Sequence, residues 1–134
     1  MHRQIIFAAT LWMLPQLCFA KDPAAETTSA IKSKIQADAS AIVFPAASVI
    51  ALERACGIYP TSEARISREL LVLSSGLFQD PALLGKKVEG ELSRISWPDR
   101  ECVETDLERQ STSYTKIFDR MLQNKTELQI RGEL

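Results

Sequence analysis

The sequence predicts an all-α fold: a small four- to five-helix bundle braced by one disulfide, after a cleaved signal peptide. Apolar residues recur at helical spacings of three and four along most of the chain, and no useful stretch alternates as a strand does. Two cysteines remain beyond residue 20, which is enough for one bridge. We expect residues 21–134 to form a single helical domain, with residues 21–28 and 126–134 loosely held.

Residues 1–20 have the pattern of a secretory signal peptide. His2 and Arg3 form a short basic head, and an apolar run follows from residue 5. The small residues Cys18 and Ala20 fit cleavage before Lys21. The chain is therefore expected to be exported, to the periplasm if its source is bacterial and otherwise to the outside of the cell.

Two other interpretations of this segment are an uncleaved membrane anchor and a lipoprotein acylated at Cys18. A transmembrane helix needs about 20 apolar residues, whereas Pro15 and Gln16 interrupt this shorter run. The residues before Cys18 are not the small ones of a lipid-attachment site. No later segment is expected to span a bilayer, so we expect no stable membrane insertion after signal cleavage.

Removal of the signal changes the chemistry that is open to the chain. His2 is the sole histidine, so the domain keeps none. Without imidazole it has no Ser-His-Asp triad, no Cys-His pair and no histidine metal ligand. The domain's net charge is about −2, and its lysines and arginines are scattered among acids, which argues against a nucleic-acid partner. We expect no cofactor, no metal and no enzyme activity.

The first two predicted helices precede the first cysteine of the domain. One is expected around three isoleucines that suit a single amphipathic face: Ile31, Ile35 and Ile42. Pro45 should open the second, because proline is tolerated in a first turn. Its buried face would carry Val49, Leu52 and Cys56. Gly57 suits a left-handed terminator of this helix, and Pro60 prevents its continuation.

The next two predicted helices form a hairpin. Thr61 or Ser62 is expected to cap the third helix, whose apolar stripe is the clearest in the chain: Ile66, Leu70, Leu73 and Leu77, with Leu71 and Phe78 alongside. Asp80, followed by proline, should end it and cap the fourth. The fourth helix carries its own stripe: Leu84, Val88, Leu92 and Ile95. Gly85 and Gly90 are either tolerated glycines or sites of close approach by a neighbouring helix.

The longest predicted helix begins after residues 96–99. Its stripe follows alternating spacings of four and three: Val103, Leu107, Gln110, Tyr114, Ile117 and Met121. Such spacing is typical of the core face of a bundled helix and also of a coiled-coil seam. The seam over residues 103–121 is therefore a candidate surface for a homo-oligomer or for a partner.

Cys56 and Cys102 are expected to form a structural disulfide, because an oxidising compartment joins the thiols of an exported chain. The bridge would close a loop of about 47 residues, worth roughly 4 kcal/mol in the chain-entropy treatment. A redox-active or nucleophilic cysteine is the alternative, but the pair lacks C-x-x-C spacing. On the predicted helices, the bridge joins the end of the second to the first turns of the fifth.

Three aromatic residues are candidate partner contacts: Tyr59, Trp97 and Tyr114. Tyr59 lies in an apolar turn beside the predicted disulfide, where it either anchors a partner or packs against the bridge. Trp97 lies at a corner between helices, where it either fills the core or stacks on a ligand. Tyr114 belongs to the stripe of the fifth helix.

The densest acidic group of the chain lies at the start of the fifth helix. Glu101, Glu104 and Glu108 are spaced by three and four, so we expect them to share a helix face. Such a face would hold a hard cation or supply acid–base carboxylates. The alternative is a solvated face whose charges suit a helix N-terminus.

In outline, the chain resembles small exported helical proteins with one disulfide, a group that contains acid-stress chaperones and some inhibitor or immunity proteins. The resemblance is architectural and transfers no residue roles. The function expected from the sequence is contact with another envelope or secreted protein, in a binding, inhibitory or accessory role. An acid- or stress-responsive chaperone and a carboxylate-dependent enzyme are the alternatives.

Overall fold

The computed structural model describes residues 25–95 and 100–134. Over these ranges the fold is all-α, without a strand, and a disulfide joins Cys56 to Cys102. The helices in chain order are α1 Thr28–Ala41, α2 Val43–Ala55, α3 Glu63–Ser74, α4 Leu83–Ile95 and α5 Glu104–Ile130. The predicted small bundle braced by one disulfide is confirmed. The predicted signal peptide, residues 1–20, and Trp97 lie outside the described residues.

α1 and α2 follow each other so closely that they form one rod. Ile42, the single residue between them, has helical dihedral angles, and its N–H donates to the carbonyl of Asp38. Pro45 explains the interruption, because it has no N–H to give to the carbonyl four residues earlier. Pro45 lies in the first turn of α2, as predicted, although the helix begins two residues before it, at Val43.

α2 is the central helix of the bundle. It packs extensively on α4 and α5, and α1 packs on α5. Nine consecutive residues of α2, from Pro45 to Glu53, are buried. Val49 and Leu52, expected to share a face with Cys56, are buried, and the residues on the other sides of the helix are buried as well, which suits a central position. Three of its buried residues are alanines: Ala46, Ala47 and Ala51. Their small side chains allow neighbouring helices to pack near the backbone of α2.

The α1–α2 rod is also the one helix in the described ranges that is long and apolar enough to cross a membrane. Residues Thr28–Ala55 include an 18-residue window of mean hydropathy 1.6, against the expectation that no such segment follows the signal. Two thirds of that window, 67%, is buried inside the bundle. The apolar residues of this rod therefore contribute to the core. A buried core helix can be as long and as apolar as a membrane-spanning one.

α3 is shorter than the sequence predicts. It ends at Ser74 rather than near Asp80, and Gly76 turns the chain with a φ of +81°. Leu77 and Phe78 follow this turn and still pack against the core. Asp80 instead lies in the turn that leads into α4, where its carboxylate accepts the backbone N–H of Ala82 at 3.0 Å.

α4 buries the predicted stripe of Leu84, Val88 and Leu92. Its two glycines make no close approach to a neighbouring helix. A Cβ atom built at Gly85 or at Gly90 would meet no atom within 4 Å. Both are therefore tolerated glycines, and the close-approach interpretation is wrong.

α5 begins later and ends later than the sequence predicts. Its first residue is Glu104, and it continues through residues 126–130, a segment expected to be loose, where Leu128 is buried. Gly132, with a φ of +71°, ends it in a Schellman motif in which the N–H of Glu133 donates to the carbonyl of Leu128 at 2.9 Å. Arg131 also donates to the carbonyl of Glu26 at 2.6 Å, which ties the end of α5 to the chain before α1.

Candidate functional site

The turn between α2 and α3 projects an apolar tip into solvent. All four residues from Gly57 to Pro60, which we call the contact tip, are exposed. Ile58 is 43% exposed and Tyr59 is 70% exposed. Most of the Tyr59 side chain therefore lies in solvent, which favours the partner-contact interpretation over packing against the disulfide. An aromatic ring held out in water is available to another molecule.

The first restraint on the contact tip is the end of α2. Gly57 has a φ of +69°, as expected of a left-handed helix terminator. The N–H of Gly57 donates to the carbonyl of Arg54 at 3.1 Å, and the N–H of Ile58 donates to that of Glu53 at 2.9 Å. These two bonds form a Schellman motif, which fixes the direction in which the tip leaves the helix.

The second restraint is the buried carboxylate of Glu53. One of its oxygens accepts the backbone N–H of Ser62 at 3.0 Å, and the other accepts the Ser62 hydroxyl at 2.8 Å. Arg54 and Glu63 form an ion pair beside it, at 2.7 Å. A buried carboxylate needs such donors, so Glu53 holds the two ends of the tip together.

Sequence reasoning missed this role of Glu53. Ser62 precedes α3 at the predicted capping position, but its side chain donates to Glu53 and makes no capping hydrogen bond to the helix. The available signal was a carboxylate in an otherwise apolar helix, directly before a turn. Such a carboxylate needs a donor, and the first turn of the next helix offers free backbone N–H groups.

The third restraint is the disulfide. Cys56 and Cys102 have Cα atoms 4.7 Å apart, and the predicted pairing is confirmed. Cys102 is exposed and lies before α5, not in its first turns as expected. The bridge therefore fixes an extended segment, rather than a helix, against the base of the contact tip.

The acidic residues follow that segment. Glu104 and Glu108 lie one turn apart in α5, but Glu101 precedes the helix, so the three do not share a helix face as expected. All three side chains are exposed. Across the described ranges, no group of three or more histidine, cysteine, aspartate or glutamate side chains is placed to hold a metal ion. The disulfide places Glu101 beside the base of the contact tip, and α5 carries the other two away from it.

Tyr114 is not available to a partner. It is 2% exposed, and its hydroxyl donates to the carboxylate of Glu69 at 2.8 Å. Burial, together with this bond, raises the pKa of Tyr114. Its ring also stacks on Phe118, with centroids 6.0 Å apart. The prediction of Tyr114 as a contact residue is therefore wrong.

The apolar stripe of α5 packs in the core of the bundle. Tyr114, Ile117 and Met121 are buried in the core of the bundle, so the core-face interpretation of the predicted 103–121 seam holds over this part. Val103 and Leu107, at its start, are half-buried. Self-association through Tyr114, Ile117 and Met121 would require the bundle to open.

Comparisons with known proteins add no relative. No family of known proteins matches the chain. No curated protein and no solved structure matches it either. Its function is therefore inferred from the fold and the contact tip.

Proposed function

We propose that this chain is an exported, non-enzymatic helical protein that acts by contact with another envelope or secreted protein, in the periplasm if the source is bacterial. The observation that carries the proposal is the contact tip, in which an exposed tyrosine and isoleucine stand on a turn restrained from three sides. The partner is expected to offer a concave apolar pocket that receives the ring of Tyr59.

Restraint of the tip favours tight binding. Association costs the freedom of every side chain and loop that it orders, and a segment that is already fixed pays little of this cost. The Schellman motif, the Glu53–Ser62 bonds and the disulfide all act on the few residues around the tip. Tyrosine is enriched among the residues that dominate binding energy, because it buries a large rigid ring and keeps a polar end.

The charges near the tip are mixed. Glu101 is exposed beside the disulfide, and Arg100, directly before it, donates to the carbonyl of Ile95 at 3.4 Å. Arg54, in the last turn of α2, is paired with Glu63 at 2.7 Å. The ring of Tyr59, rather than charge, is therefore expected to contribute most to the affinity.

Two features support a binding role over catalysis. The two cysteines of the domain are joined, so neither supplies a thiolate, and the domain has no histidine. The three acidic residues that the enzyme alternative requires are exposed rather than gathered in a cleft. The disulfide also suits the expected export, since such bridges persist in oxidising compartments.

A site-specific cross-link tests the proposal. A photoreactive amino acid at position 59 of residues 21–134 should capture one discrete protein in the native envelope, and the same probe at Lys87, exposed on α4, should not. Tyr59→Ala should weaken binding of the captured protein at least tenfold, or about 1.4 kcal/mol. Tyr59→Phe should retain most of the affinity, because the ring is the anchor.

Lys87→Ala is the matched control for affinity, and circular dichroism should be the same for all variants because each changes an exposed side chain. An affinity for Tyr59→Ala within twofold of the unaltered chain would contradict the proposal. Equal capture from positions 59 and 87 would contradict it as well.

A further inference from the structure

A groove between α3 and α5 is a second exposed apolar surface, and it shares no residue with the contact tip. Its volume is about 620 Å³. Its apolar lining combines buried Leu73 and half-buried Phe118 with two exposed residues, Val72 of α3 and Leu122 of α5. Val72 is 68% exposed and Leu122 is 43% exposed. α3 makes only slight contact with α5, so the two helices leave this space between them.

The shape of the α3–α5 groove suits an α-helix. Its lining on α5 runs from Phe118 to Gln129, which at 1.5 Å per residue is about 16 Å, or three turns. Along that length the lining residues of α5 recur at spacings of four and three. Side chains at such spacings form the ridges and grooves into which another helix packs.

The charge of the groove is positive. Glu69 is its acidic lining residue, and its carboxylate already accepts from Arg65 at 2.8 Å and from the Tyr114 hydroxyl at 2.8 Å. Lys125 donates to the carbonyl of Val72 at 2.9 Å, a neutral group that leaves its charge uncompensated. Arg68, on α3, makes no ion pair within the described part of the chain.

We propose that the α3–α5 groove binds an amphipathic helix of a partner protein whose apolar stripe is flanked by acidic residues. The apolar stripe covers the apolar lining, including Val72 and Leu122, and the acids meet Arg68 and Lys125. This site is separate from the contact tip and stands whether or not the tip binds a partner. Helix-in-groove recognition of this kind relies on apolar anchors for affinity and on flanking charges for choice of partner.

Two designed helical peptides test the proposal. Each has about 16 residues with one leucine stripe, flanked by glutamates in the first peptide and by lysines in the second. The domain has a net charge of about −2, so non-specific attraction favours the lysine peptide. Fluorescence anisotropy should nevertheless show at least fivefold tighter binding of the glutamate peptide, since each groove cation contributes up to about 1 kcal/mol.

Variants then locate the binding. Val72→Asp and Leu122→Asp should each weaken binding of the glutamate peptide at least tenfold, and Arg68→Glu should remove the preference between the two peptides. Leu83→Asp is the matched control, because Leu83 is a 40% exposed leucine on α4, outside the groove. It should leave the affinity unchanged.

Three results would overturn the proposal. Equal binding of both peptides would indicate a surface that accepts any apolar chain, as a chaperone does. Binding that survives Val72→Asp and Leu122→Asp would place the site elsewhere. A dimer of the unaltered chain that Val72→Asp dissociates, with no binding of either peptide, would make a second copy the occupant.

Discussion

Single buried residues show how polar groups hold this bundle together. Asp38, buried on α1, accepts two hydrogen bonds from Arg120 Nε and one from its Nη2, at 3.2, 3.0 and 2.7 Å. Glu69 likewise links α3 to α5, because its carboxylate accepts a hydrogen bond from the hydroxyl of Tyr114. Each of these bonds joins helices that are distant along the chain, so each fixes the relative position of two rods.

The burial of Tyr114, together with its bond to Glu69, makes stability depend on pH in the alkaline range. The folded protein raises the pKa of Tyr114 above its ordinary value of 10.0, so it holds the phenolic proton more tightly than the unfolded chain does. The resulting stability is complete below pH 10 and is lost as the pH rises above it. Tyr114→Phe should lower the free energy of unfolding at pH 7 by about 1 kcal/mol, through loss of the hydrogen bond.

The variant should also decline less steeply between pH 10 and 11, by up to about 1.4 kcal/mol per pH unit. Urea unfolding followed by circular dichroism at a series of pH values measures both effects. All other titratable groups are the same in both proteins, so the difference between the two curves isolates Tyr114. Parallel curves from pH 8 to 11 would show that this hydroxyl has no part in the alkaline loss.

At the scale of the helices, glycine has two opposite roles in this chain. Gly57 occupies a left-handed conformation that other residues adopt at a cost, whereas Gly90 lies inside α4 with ordinary helical geometry. Neither position has an atom within 4 Å of an added Cβ. Glycine to alanine should therefore have opposite effects on stability at the two positions, because neither change creates a steric contact.

Gly57→Ala should lower the free energy of unfolding by about 1 kcal/mol, because alanine is strained at positive φ. Gly90→Ala should raise it by up to about 1 kcal/mol, because alanine favours the helix. Urea unfolding of the two variants beside the unaltered chain measures both. A stabilised Gly57→Ala would contradict the assigned turn, and a destabilised Gly90→Ala would reveal a close neighbour of α4.

The helices themselves were predictable where punctuation residues bound them. Gly57 ends α2 as expected. Three residues of each predicted stripe are buried: Ile66, Leu70 and Leu73 in α3, and Leu84, Val88 and Leu92 in α4. Leu71, expected beside the α3 stripe, is 50% exposed. The predictions differ from the structure at the ends of helices and in which helix faces are buried. Gly76 stops α3 although apolar periodicity continues past it, and Gly132 stabilises an end of α5 that was expected to be loose. Periodicity identifies a buried face, but turns are decided by individual glycines and their hydrogen bonds.

The site was less predictable because exposure depends on neighbours that the chain brings together. The disulfide followed from composition and compartment alone. Tyr59, beside an isoleucine and a proline, is exposed, whereas Tyr114, between a serine and a threonine, is buried. The α3–α5 groove exists because α3 touches α5 only slightly, and no local pattern carries that information. Its exposed apolar lining residues, Val72 and Leu122, lie outside the buried stripes of α3 and α5.

At the scale of the whole molecule, the disulfide loop encloses α3, the helix that packs least extensively on its neighbours. The loop between Cys56 and Cys102 contains α3 and α4. α4 packs extensively on α2, whereas α3 makes only modest contacts with its neighbours. Polar links at its two ends hold α3 in place: the Glu53–Ser62 bonds at one and the Lys125–Val72 bond at the other.

Removal of the bridge should therefore weaken the molecule without changing its fold. The bridged residues are 46 apart in the sequence, and a loop of that length predicts a loss of about 4 kcal/mol for Cys56→Ala with Cys102→Ala. The core cluster draws residues from all five helices but does not include Cys56 or Cys102, so circular dichroism should stay helical. Urea unfolding measures the loss, and reduction of the unaltered chain should reproduce it.

The loss should also be uneven, because α3 depends most on the closed loop. Hydrogen exchange should speed up more in α3 than in α2, whose residues from Pro45 to Glu53 are buried. The contact tip keeps its Schellman motif and its Glu53–Ser62 bonds without the bridge, so partner affinity should fall by less than about threefold. A uniform rise in exchange would show that the bridge acts on the unfolded chain alone. A large loss of affinity would show that the disulfide, rather than the two hydrogen-bonded restraints, fixes Tyr59 for binding.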